Sequence, residues 1–169
     1  MRPDLRLPAL LILAWLAQAA LVPLISIGTV QPDVILVVVA VQAIAGGPTT
    51  GALAGFFGGL LQDLLAPGSV GIGALVKTVI GYSLGRIDRI LLGETIVLPA
   101  IMIGVMSLIS QSAYLGLLLL AGERVAFASY LPGVILPSAL YTAIIGLLLY
   151  PLLERWSRPG RGEQVIEIT

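Results

Sequence analysis

The sequence predicts an all-α membrane protein whose six transmembrane helices pack as a compact bundle. Three observations lead there. Of the 169 residues, 58% are hydrophobic and only 11% are charged, with a mean hydropathy of +1.06; soluble domains carry about 25% charged residues. The apolar residues fall into six segments of helical length, punctuated by proline, glycine or charged links. Two of those segments carry small residues at every fourth position, the spacing that lets helix backbones approach closely in lipid.

Composition also excludes whole classes of chemistry. The net charge is zero, which argues against a nucleic-acid partner held on a basic surface. There is no Cys and no His, so disulfides, thiolates, imidazole bases and most zinc or haem ligation are ruled out. No phosphate-binding loop and no metal-ligand spacing appears. No catalytic residue, metal or cofactor is expected, and an enzyme is the least supported class. Residues 1–153 read as a single six-helix transmembrane domain and 154–169 as a polar cytoplasmic tail.

In chain order, Arg2 and Arg6 precede an apolar run over residues 7–27, long enough to cross a ~30 Å core. A signal peptide cleaved near Ala17-Gln18-Ala19 is the competing reading, but the hydrophobicity continues unbroken past that site. Gln31-Pro32-Asp33 opens a second segment, 34–45, with proline and an acid where a helix start favours them. Gly46-Gly47-Pro48 ends it. Two glycine-striped arms follow, 49–65 and 70–85, joined by a Pro67-Gly68 turn. The first arm carries Gly51, Gly55 and Gly59, and the next step of that series is Asp63. The second carries Gly73, Lys77, Gly81 and Gly85. Residues four apart share a helix face, so the two stripes predict a tightly packed hairpin with an acid on one arm and a base on the other. Two longer spans, 96–120 and 131–153, close the chain, and Trp156 stands where an interfacial aromatic belongs.

With both termini cytoplasmic, Arg2, Arg6, Arg86, Arg89, Arg155, Arg158 and Arg161 lie inside and only Arg124 outside, as the positive-inside rule requires. The uncharged turn at Gly46-Gly47-Pro48 leaves a second model open, in which residues 33–65 re-enter from outside. Charge bias does not separate the two, and re-entrant backbone is tolerated where protein or water covers it.

The order of features from Pro32 to Gly85 resembles the rod shape-determining protein MreD family of bacterial inner-membrane proteins. The residues that carry the resemblance are Pro32-Asp33 with the run Val34 to Val39, the block Gly51 through Gly55-Phe56-Phe57-Gly58-Gly59-Leu60-Leu61-Gln62-Asp63-Leu64, and Gly71 to Leu75. The resemblance implies a small scaffold subunit of the cell-wall elongation complex, which maintains cell shape during peptidoglycan synthesis. It implies an MreC-like bitopic partner and, through it, other elongation proteins. It also implies an architecture similar to the six-helix substrate-binding subunits of energy-coupling-factor transporters. A vitamin-type substrate-binding subunit is accordingly the alternative function, although the polar outer loops that would cap a pocket are mostly missing.

Several residues carry a structural and a functional reading side by side. Asp33 either stabilises the dipole of its helix, worth ~0.3–1 kcal/mol, or contacts a partner at the outer face. Asp63 and Lys77 lie near enough in depth to form a buried ion pair that locks the hairpin; the alternative is a proton, ion or ligand site. Gln42, Gln62 and Gln111 suit interhelical hydrogen bonds. Ser107, Ser110 and Ser112 make the face around Gln111 polar, so a small-ligand pocket is the second reading there. Pro99 and Pro137 are expected to kink their helices.

The topology is directly testable, because the chain has no cysteine of its own. Single cysteines at Thr49, Ser129 and Ser157 should react with an impermeant reagent in intact cells at Ser129 alone. Labelling at Ser157 would overturn the arrangement.

Overall fold

A computed structural model describes residues 6–65, 71–87, 95–122 and 127–157. The hairpin apex at 66–70, the charged links at 88–94 and 123–126, and the tail from 158 onward lie outside these residues, as do Arg2, Arg89, Arg124, Arg158 and Arg161 of the charge count.

The described residues are helical apart from turns, short extended stretches and one isolated bridge between Ile27 and Val30. Helix α1 (Arg6–Ala20) gives way to a single turn, α2 (Val22–Ile25), at the point where Pro23 enters and cannot donate a backbone hydrogen bond. Next comes α3 (Val34–Asp63), which is not one rod. At Gly47 the backbone takes φ 83°, a conformation costly for any residue with a Cβ. There the chain doubles back, and Pro48 begins the second arm with its φ already helical. The arms run antiparallel, since Gly58 lies against Ile35 and Val39, and Gly51 against Ala43. Helix α4 (Ile72–Gly85) returns along the second arm. Helix α5 (Val97–Leu120) pairs with a rod made of α6 (Phe127–Tyr130), a π-helical turn (Leu131–Ile135) and α7 (Leu136–Ser157).

Counting the arms of α3 separately, the described residues make six helical passes. Three stretches are long and apolar enough to cross a membrane: Val34–Asp63, Val97–Leu120 and Leu131–Ser157. The first of these is the folded hairpin, and its arms reach only about 20 and 24 Å at helical rise. Its first arm is the centre of the molecule, with every residue from Ile35 to Ile44 buried. A helix apolar all round has no solvent face and must be surrounded. Here α1, the second arm, α4 and α7 surround it.

The glycines explain how the second arm meets α4. A Cβ on Gly51 would run into the Gly81 carbonyl and one on Gly81 into the Gly51 carbonyl; on Gly55 it would strike the Lys77 carbonyl. On Gly59 it would stand 2.5 Å from the Ala74 Cα, and on Gly85 2.5 Å from the Pro48 Cα. Each step of four along the arm therefore meets a step of four back along α4, and the backbones themselves are in contact. Gly73 is the exception in its row, because what a Cβ would strike there is the Asp63 carboxylate.

The prolines differ from expectation. Pro99 sits in the first turn of α5, where its missing amide has no intrahelical partner to lose, so it makes no kink. Pro137 follows the π-helical turn, whose closing bond runs from the Leu136 amide to the Leu131 carbonyl. The wider turn, rather than a bend at Pro137 itself, accommodates the Pro132-Gly133 and Pro137 sequence.

Gly55→Ala or Gly81→Ala should destabilise the purified protein by roughly 1–3 kcal/mol, because overpacking here displaces backbone rather than a flexible side chain. Gly116→Ala, where a Cβ meets nothing within 4 Å, should be neutral or stabilising. Thermal unfolding in one detergent compares the three.

Candidate functional site

Asp33, Asp63 and Lys77 are 8%, 3% and 4% exposed, as ionised groups inside a membrane bundle should be. Their pairing differs from the sequence expectation. The Lys77 ammonium donates to Asp33 Oδ2 at 2.5 Å, not to Asp63. Asp63 instead accepts the backbone N–H groups of Gly71 (2.8 Å), Gly73 (3.1 Å) and Ala74 (3.2 Å). It caps α4 from the end of the preceding helix. The reason is positional. The second arm delivers Asp63 to the start of α4, where orphan amides and the positive dipole end satisfy a carboxylate without a cation. Gly73 lacks the Cβ that would hold the carboxylate away, and Gly71, at φ 106°, turns its amide inward. Lys77 lies one turn further along α4. Its side chain leans toward the helix N-terminus, as helical side chains do, and finds Asp33.

Asp33 is likewise engaged within the chain. Its Oδ1 accepts the Leu36 N–H at 2.8 Å as an N-cap, and its Oδ2 also faces Gln62 Nε2 at 3.5 Å. The extended segment leading into it is satisfied from both sides. Gln18 of α1 donates to the Pro32 carbonyl (3.1 Å) and accepts the Val34 amide (2.8 Å). From α7, Thr142 Oγ1 accepts the Asp33 amide (3.0 Å) and Ser138 Oγ the Gln31 amide (3.3 Å). At Pro32 and Asp33, both buried, non-helical backbone is thus covered by protein, the condition for its presence at membrane depth. Trp15 Nε1 closes the set by donating to the Leu61 carbonyl (2.7 Å), one of the orphan acceptors at the end of α3.

These contacts fix the relative heights of the helices. Thr142, level with Asp33, stands 15 residues from Phe127 and 15 from Ser157, so the ion pair lies about 22 Å from either end of the α6–α7 rod. Helices α3 and α4 meet their connecting turn near this level, while α5 and the rod continue past it. The step leaves a half-open cavity of about 430 Å³. Asp33, Gln62, Asp63 and Lys77 line one part of it. Ser110, Gln111 and Tyr114 of α5, Tyr130 before the π-helical turn, and Leu115, Leu118, Val134 and Ile135 line the rest.

Gln111 does not bridge helices; its Nε2 donates to Ser107 Oγ at 3.0 Å on its own helix. Gln42 is buried within the first arm. Gln18, Ser138, Thr142 and Trp15 carried no sequence signal strong enough to single them out, because their partners lie up to 109 residues away. Among the described residues no cluster of three or more acidic side chains could hold a metal ion.

Lys77→Met leaves Asp33 buried without its counter-ion and should cost on the order of 3–5 kcal/mol, read as lost thermal stability and membrane abundance. Adding Asp33→Asn should restore part of that loss, whereas adding Asp63→Asn should deepen it. Rescue by Asp63→Asn instead would return the pair to Asp63 and Lys77.

Beyond this geometry, the family described as rod shape-determining protein MreD matches residues 4–158. No curated protein and no solved structure matches the chain.

Proposed function

From the premise that the chain belongs to the MreD family, an integral-membrane family of rod shape determination, we propose that it is a non-enzymatic scaffold subunit of the bacterial elongation complex. It sits in the cytoplasmic membrane with both termini inside and binds an MreC-like bitopic protein during peptidoglycan synthesis. The family match over 4–158 is the observation that carries this reading. The intramembrane charges support it, since Asp33, Asp63 and Lys77 are engaged in holding helix ends and backbone together.

The scaffold surface is sought on the first and last passes. Helix α7 exposes Leu136, Leu140, Ile144, Leu148 and Leu152, each more than 49% accessible and each four residues from the next. This continuous apolar ridge can seat in the groove of a partner helix. Helix α1 exposes Ile12, Leu13 and Leu16, and the turn α2 that follows it is tied to α7 by the Tyr141 hydroxyl donating to the Ile25 carbonyl at 3.0 Å. A single-span partner lying along this face would continue past the bundle at both ends.

Paired changes Leu140→Trp and Leu148→Trp should abolish co-purification of an MreC-like partner at normal membrane abundance. The same treatment of the α5 ridge, Ile101→Trp with Val105→Trp, should leave it intact. Partner loss from the α5 pair alone would move the interface there.

A further inference from the structure

We propose that the cavity beside the ion pair binds a small amphiphile whose polar head both donates and accepts hydrogen bonds, such as a primary amide or a carboxylic acid. This does not depend on the scaffold reading. It rests on what remains unpaired around the cavity. Gln62 lines it, and its Oε1 is shielded from bulk solvent without a hydrogen-bond partner. The Gln62 amide turns Nε2 toward the Asp33 carboxylate at 3.5 Å, which favours a donor over an oxygen at that position. That leaves Oε1 as an acceptor in need of a donor, and such a buried group is costly to leave unmet.

Lys77 supplies the complementary half. An ammonium has three N–H donors, and Asp33 Oδ2 takes one. Gln62 and Lys77 both line the cavity: an acceptor that a small turn of the amide brings within reach, and spare donors, matched to a head that gives one hydrogen and takes another. Asp63 does not compete, because its oxygens are engaged by the amides of α4. Val76, Leu115, Leu118, Val134 and Ile135, also in the lining, are apolar and suit a short hydrocarbon body. A volume of about 430 Å³ is within the range of small-molecule sites, which combine mostly apolar walls with a few converging polar groups. Water satisfying Gln62, or lipid chains filling the step, are the other occupants.

Hexanamide separates these cases. It has both hydrogen-bonding functions, whereas N,N-dimethylhexanamide keeps the carbonyl and lacks the donor. Titrated into nanodiscs holding the full chain, with empty nanodiscs subtracted, hexanamide should bind saturably and at least tenfold more tightly than the dimethyl compound. Gln62→Leu should remove that preference. Leu118→Trp, which fills the cavity without touching its polar end, should remove saturable binding of both while thermal stability is kept; Val134→Trp serves the same purpose if Leu118→Trp fails to fold. Binding indistinguishable from empty nanodiscs would mean a cavity filled by water or lipid and would overturn the proposal. So would equal affinity for the two amides, or binding that survives the filled cavity. Partner co-purification is scored on the same samples, so the site and the scaffold reading can fail separately.

Discussion

Burying the Asp33 carboxylate at the start of a helix inside an apolar bundle would cost several kcal/mol without a counter-ion. The contact with Lys77 offsets that cost, and the rest of the arrangement depends on it. It allows α3 to begin midway along the α6–α7 rod instead of at its end. It also adds a charged tie between α4 and the first arm of α3, beside the apolar packing of Val76, Ile80 and Leu84 against that arm. The extended residues before Asp33 are then forced to depth, which is why Gln18, Ser138 and Thr142 must supply hydrogen bonds that water would supply elsewhere.

Asp63 shows the other way to hold a carboxylate in such surroundings. It uses backbone amides and the dipole of α4, leaving the one lysine free for Asp33. Two acids and one base are thereby all stabilised, and the division of labour is geometric: the acid that meets a helix start takes amides, and the acid that begins its own helix takes the cation.

Much of this was legible in the sequence. The glycine rows and the Gly46-Gly47-Pro48 reversal place the hairpin arms, because their spacing and conformational demands are local. Asp33 as a helix-starting residue was legible for the same reason. The identity of Lys77's partner was not. Depth along one hairpin favours Asp63, and only the fold of α3 on itself brings Asp33, 44 residues away, to the ammonium. The hydroxyls of Ser138 and Thr142 look like ordinary helix polar residues; Thr142 does donate to the Ser138 carbonyl at 2.7 Å, yet it also accepts the Asp33 amide. Nor did helix lengths alone reveal the cavity, which exists because short and long helices are fixed at unequal heights.

That inequality reaches the surrounding lipid. Helix α4 is about 21 Å long and α5 about 36 Å, so no single bilayer thickness matches both. Lipid chains beside α4 must shorten or tilt, or another protein must take their place, each at a cost that grows with every ångström of mismatch. With both helices in one bilayer, the membrane around this molecule would be graded along its circumference, thinner on the glycine-hairpin side and fuller against α5 and α7. A neighbouring protein would be oriented by that gradient before any side chain touches it.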